Sequence, residues 1–250
     1  MSMPPIQNID TDDSIAGHER REFIRAGLMV TAAAMLPAVV SAASGSTTGA
    51  GGARAARKVL VINAHQNYPG ISEGRLNRTL VGVIKEELEN KGYDVRQTSI
   101  EEGYTVNEEV QKHLWADIII TQSPVFWFGA PWIYKKYIDE VFTAGMVQQS
   151  FISGDGRTAD DPARQYGTGG KLQGKQFLLS LTMNAPKEVF DDRSQKLHEG
   201  RSLDDLFWAT TWVYKFCGIA ILPTFGAFDV MRAPQIQRDT DRLKQRLVSL

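Results

Sequence analysis

Between Lys58 and Leu250 the chain alternates two hydrophobic patterns. Short continuous apolar runs, the mark of strands buried on both faces, occupy Lys58–Asn63, Ala116–Thr121 and Gln176–Thr182. Between them, apolar residues recur every three or four positions, as on one face of a helix. Leu76, Leu80, Val83, Ile84 and Leu88 form the first such stripe, which Gly92 ends. Val106, Val110 and Leu114 mark a short helix, and Tyr134, Ile138, Val141 and Phe142 a longer one. Leu203, Leu206, Phe207, Thr210, Val213, Tyr214 and Cys217 trace a further helix, and Ile236, Leu243, Leu247 and Leu250 a closing one. Asp94–Ile100 reads as a second strand and Gly218–Phe225 as the last.

Strands alternating with helices, with few hairpin signals, predict an α/β domain over residues 57–250. Its expected core is a doubly wound, five-stranded parallel sheet of flavodoxin-like order. The polar stretch from Ala144 to Lys175 is too long for a plain connection, and loops of that length are often functional.

Residues 1–56 follow a different pattern. Arg20-Arg21-Glu22-Phe23 precedes an alanine-rich apolar run from Ala26 to Val40, and Ser41-Ala42-Ala43 offers small residues for cleavage. A Gly-, Ser- and Ala-rich linker follows to Ala56. The paired arginines resemble a twin-arginine signal, with Glu19 where that pattern usually has Ser or Thr. The expectation is export of a folded, cofactor-loaded protein to the periplasm, with no stable membrane span after processing; the alternative is a cytoplasmic protein.

Composition narrows the chemistry. The formal net charge is -1, from 28 basic and 29 acidic residues, so no nucleic-acid partner is expected. The single cysteine, Cys217, excludes an internal disulfide and is read as a small buried apolar residue. His18, His65, His113 and His198 are scattered without H-E-x-x-H spacing, so no metal site is expected, and G-x-S-x-G is absent.

Three loops follow strands at the edge where doubly wound sheets bind ligands. The first contains Ser72, Glu73, Gly74, Arg75, Leu76, Asn77, Arg78 and Thr79 and leads into a helix. Free backbone N–H groups there favour a phosphate, although the loop fits neither G-x-G-x-x-G nor a P-loop, and a plain N-capped helix with solvated arginines fits the same residues. The second, Gln122 to Trp132, carries Val125, Phe126, Trp127 and Phe128 between prolines, a set suited to a flat heteroaromatic ring. The third contains Thr182, Met183, Asn184 and Ala185, and Tyr166 lies in the long connection, able to fold over the site.

Pro124-Val125-Phe126-Trp127-Phe128-Gly129-Ala130-Pro131, followed by Lys136-Tyr137-Ile138-Asp139-Glu140-Val141-Phe142, resembles the flavin loop and helix of the NAD(P)H dehydrogenase (quinone) family. Ser153–Thr158, Tyr166–Gly170, Leu179–Pro186 and Leu222–Phe225 are similar to its branch of NADPH quinone reductases called modulator of drug activity B. The resemblance implies FAD in preference to FMN, NADPH as donor, a quinone as acceptor, a homodimer, and ping-pong two-electron hydride transfer. It implies that Ser72 to Thr79 hold the pyrophosphate, that Val125 to Phe128 and Thr182 to Ala185 hold the ring, and that Tyr166 contacts the flavin. Tyr166, His65 or His198 would supply a proton to the quinone. Met183 stands where the branch has Trp, and Arg193–Asp205 departs from it. Two other readings fit the fold: an FMN azoreductase- or nitroreductase-like enzyme, and a non-enzymatic electron carrier or regulatory flavoprotein.

Overall fold

The computed structural model describes residues 56–250. The expected export signal and all but the last residue of the expected linker lie outside them. Six strands form one parallel sheet: β1 (Lys58–Asn63), β2 (Asp94–Ser99), β3 (Ile118–Pro124), β4 (Gln176–Thr182), β5 (Ala220–Ile221) and β6 (Phe225–Ala227). Their order is β2-β1-β3-β4-β5, with β6 also paired to β4. The helices are α1 (Arg75–Asn90), α2 (Val106–Trp115), α3 (Trp132–Val147), α4 (Leu203–Leu206), α5 (Trp208–Phe216) and α6 (Ile236–Val248).

Successive strand residues point to opposite faces, so an apolar run must be buried twice. Along β1, Val59 and Val61 enter the layer beneath α1 and α6, while Leu60 and Ile62 enter the layer beneath α2, α3 and α5. All four are fully buried, each worth about 1.5–3 kcal/mol relative to exposure. On the second face Phe177 stacks on Tyr214, centroids 3.7 Å apart.

Two elements differ from the periodicity. The helix expected from Leu203 to Cys217 is broken at Phe207, where ψ opens to 14° and the ring is buried. A Ser202–Asp205 capping box starts the short α4 before the break. The fifth sheet position is filled by two short strands instead of one run over Gly218–Phe225. Pro223 has no N–H to give the ladder, and the register against β4 slips by one residue between β5 and β6. Arg242 of α6 then pins β6, donating to Gly226 O at 3.1 Å and to Asp239 Oδ1 at 2.8 Å.

Candidate functional site

The C-terminal ends of β1, β3 and β4 converge on a buried polar floor. Asn77, in the first turn of α1, is the hub: its Oδ1 accepts from Gln122 Nε2 at 3.0 Å and from Thr182 Oγ1 at 3.1 Å. Ser180 Oγ donates to Gln122 Oε1 at 2.6 Å. These bonds tie the start of α1 to two strands and leave few of the floor's polar groups to be desolvated without a partner.

Above this floor lies a cavity of about 380 Å³. Two wider depressions flank α6, but neither includes the end of β1, β3 or β4. On one side of the cavity α1 begins without a side-chain cap at Gly74, which holds φ 73°. A side chain there would meet the His65 ring at 2.5 Å, so glycine is required twice over. His65 is buried, with Nε2 3.2 Å from Ser72 O and Nδ1 3.5 Å from the Glu101 carboxylate. Glu101 also accepts from Asn67 N at 2.7 Å, linking the loops that follow β1 and β2.

On the opposite side is a tight turn. Phe126 and Gly129 exchange backbone bonds of 2.8 and 3.0 Å, leaving Trp127 and Phe128 at the tip with φ 46° and 64°. Positive φ at both central residues is a conformation usually given to Asn-Gly. Trp127 is 94% and Phe128 65% exposed. The Phe126 ring packs on Tyr68, and Val125 N donates to Thr182 O at 2.9 Å. An anion-binding helix start facing an aromatic loop suits a ligand with a phosphate at one end and a flat ring at the other.

Of the sequence-predicted residues, Ser72, Glu73, Gly74, Arg75, Leu76, Asn77, Val125, Phe126, Thr182, Met183 and Asn184 line this cavity. Arg78 and Thr79 lie one turn on and face solvent, with Thr79 Oγ1 donating to Arg75 O. Trp127, Phe128 and Ala185 border the cavity without lining it. Tyr166 is not brought to it within one chain. Its exposed ring packs on Phe216 at 5.3 Å, with the Arg157 guanidinium at 5.6 Å, because Ser153 N→Gly169 O and Gly167 N→Asp155 O fold the connection onto itself.

Sequence reasoning missed one wall. Val230 and Met231 line the cavity, zipped to the third loop by Val230 N→Met183 O (3.1 Å) and Met231 N→Asn184 Oδ1 (3.3 Å). The only signal was Pro223, which slips the register and so delivers the segment after β6 to this edge. His198 packs on Phe190 outside the cavity. Cys217 is buried, which pushes its thiol up to about 12. Among the described residues no cluster could hold a metal ion, and no helix is long and apolar enough to cross a membrane.

Residues 57–249 match the family model described as flavodoxin-like fold. The chain is 44% identical over 180 residues to the NADPH:quinone oxidoreductase MdaB of Haemophilus influenzae, covering 72% of this chain and 92% of that protein. Among solved structures, a candidate quinone reductase of Klebsiella pneumoniae superposes with a TM-score of 0.63 at 22% identity, covering 78% of this chain and 85% of its own. General stress protein 14 of Treponema denticola, solved in complex with FMN, gives 0.54 at 16% identity over 77% of this chain and 98% of its own.

Proposed function

The chain belongs to the flavodoxin-like fold family, and from that premise we propose that it is an FAD-dependent NAD(P)H:quinone oxidoreductase. One observation carries the reading: a single cavity joins an uncapped helix N-terminus to an aromatic turn at the strand-end edge of the sheet. The similarity to the Haemophilus enzyme supplies the substrate class.

The residues fit the cofactor. Gly74 leaves room at the helix start, and the N–H groups of the first turn, with Ser72, offer donors to a phosphate. Val125, Phe126 and the Thr182–Asn184 loop form the cleft for the ring. FAD held there supplies two-electron hydride chemistry between NAD(P)H and quinones, in ping-pong order. Asn77 and Gln122 hold the two sides of the cleft at a fixed separation through the polar floor. Trp127 and Phe128, exposed at the tip of the turn beside its mouth, offer apolar ring surface to an incoming planar substrate.

A proton for the quinone oxygen is assigned to the Tyr166 hydroxyl. For Tyr166 to reach a cavity, a second copy must bring it there or the 148–175 connection must move. This accords with a homodimer, for which the exposed Trp132, Trp208 and Trp212 offer an apolar face.

The test is native purification followed by release of the bound flavin, its identification, and NADPH oxidation with a soluble quinone. A yellow protein that releases FAD and turns over is expected. A colourless protein that neither FAD nor FMN restores would sink the reading. We further assign the mature protein to the periplasm. Replacing Arg20 and Arg21 by Lys should retain it in the cytoplasm on cell fractionation, and unchanged periplasmic recovery would refute that assignment.

A further inference from the structure

We infer that the acceptor taken by this cavity is a quinone carrying an apolar side chain, and that Ile71 and Met231 select it by covering that chain at the cavity mouth. The inference rests on the quinone-reductase reading above and names the class of quinone. Singly exposed apolar side chains are ordinary on a protein surface, but several gathered at one site mark a place of contact. Ile71, 72% exposed, and Met231, 70% exposed, both line the cavity. Trp127 and Phe128 stand on the turn beside it.

Closed backbone, and not a loose side chain, sets this exposure. Ile71 sits in a turn where Tyr68 N donates to Ser72 O at 2.9 Å, Ser72 N to Tyr68 O at 2.8 Å and Ile71 N to Tyr68 O at 2.9 Å. The paired bonds between Phe126 and Gly129 close the turn that carries Trp127 and Phe128. Met231 N donates to Asn184 Oδ1 at 3.3 Å. Two residues earlier, Asp229 holds φ 51° and its N donates to Ala185 O at 3.1 Å. Three separate stretches of chain thus bring large apolar side chains to one cavity and the turn beside it.

The charges suit a neutral occupant. Apart from buried His65, the ionisable side chains lining the cavity are Glu73 and Arg75, which pair at 2.8 Å. With the cofactor filling the interior, a quinone is admitted from the mouth, and a substituent on its ring lies over the rim. There Ile71 offers methyl and methylene groups, and Met231 an adaptable thioether chain. An apolar substituent gains by leaving water against them, and a charged or hydroxylated one does not.

The experiment compares kcat/KM for 1,4-benzoquinones bearing a methyl, a propyl or a pentyl group, with NADPH or NADH as donor. Full burial of a methylene is worth about fourfold and an open rim covers about half of it, so pentyl should exceed methyl roughly fifteenfold. In the double variant Ile71→Ser, Met231→Ser that ratio should fall to about fourfold or less, while Ile71→Leu, Met231→Leu should keep it. Both residues are exposed, so neither substitution opens the core. A wild-type ratio near one, or a ratio that the serine variant leaves unchanged, would overturn the inference. A serine variant that dissociates in sedimentation velocity would overturn it too, because a second copy then covers these residues. Wild-type protein that reduces none of the three quinones would instead bring down the quinone-reductase reading itself.

Discussion

At the scale of single residues, the site is built where side chains accept unfavourable backbone. Trp127 and Phe128 each hold a left-handed conformation that costs roughly 1–2 kcal/mol for a residue with a Cβ. Replacing them by Asn and Gly, the pair that this turn prefers, should raise the thermal midpoint of the flavin-free protein by a few degrees. The same change should raise the KM for quinone, because both aromatic rings leave the mouth of the cleft. Gly74 shows the opposite constraint. Gly74→Ala should weaken flavin binding at least tenfold and lower stability by about 1–3 kcal/mol, measured by flavin titration and urea unfolding, because its methyl collides with the His65 ring. The position of both loops was legible in the sequence, from prolines, glycines and consecutive aromatics after apolar runs, but those residues also read as a plain helix start and a hydrophobic plug. The polar floor was not. Gln122 and Ser123 end the apolar run after Thr121, yet β3 continues through them to Pro124, fully buried, because Asn77 and Ser180 satisfy the Gln122 amide. Periodicity cannot foresee a buried polar residue whose partners come from other elements.

At the scale of elements, α2 carries an internal conflict. Glu109 is buried, and its carboxylate accepts from Thr98 Oγ1 at 2.9 Å, Tyr137 OH at 2.7 Å and Lys112 Nζ at 2.6 Å, joining β2, α2 and α3. One turn on, His113 is caged by Tyr137, Phe142, Phe151 and Tyr214, and its Nε2 has no partner. Burial pulls its pKa down from 6.5 to about 4. Between those values the unfolded chain takes up a proton that the folded one refuses. Stability is therefore intact above the unfolded value and drains away as pH falls toward 4, by roughly 3 kcal/mol at most. His113→Leu should remove most of that slope in urea midpoints taken from pH 7.5 to 4.5, while changing stability little at neutral pH. Helix existence was legible from spacing here, as for α1 and α3. Breaks were not: nothing in the apolar stripe from Leu203 to Cys217 shows that the Phe207 ring turns inward and divides it.

At the scale of the whole molecule, the sheet places both halves of the cleft on one edge, and order alone predicted that. The exposed aromatic face is a different matter, because a strand-helix pattern says nothing about what covers a helix. Trp208 and Trp212 pack edge to face, centroids 4.5 Å apart, and each is at least half exposed on α5. If a second copy covers that face, Trp208→Glu combined with Trp212→Glu should convert a dimer to monomer in sedimentation velocity. It should also weaken quinone turnover if the partner supplies Tyr166.

Cys217 has a practical consequence. Sealed against the core, its thiol will not compete with a new one placed on the surface. The wild-type chain is thus ready for site-directed labelling: a single fluorophore or spin probe at the tip of the 148–175 connection would report from one address. Paired with the flavin as a natural chromophore, it would measure directly whether that segment moves when a donor or acceptor binds.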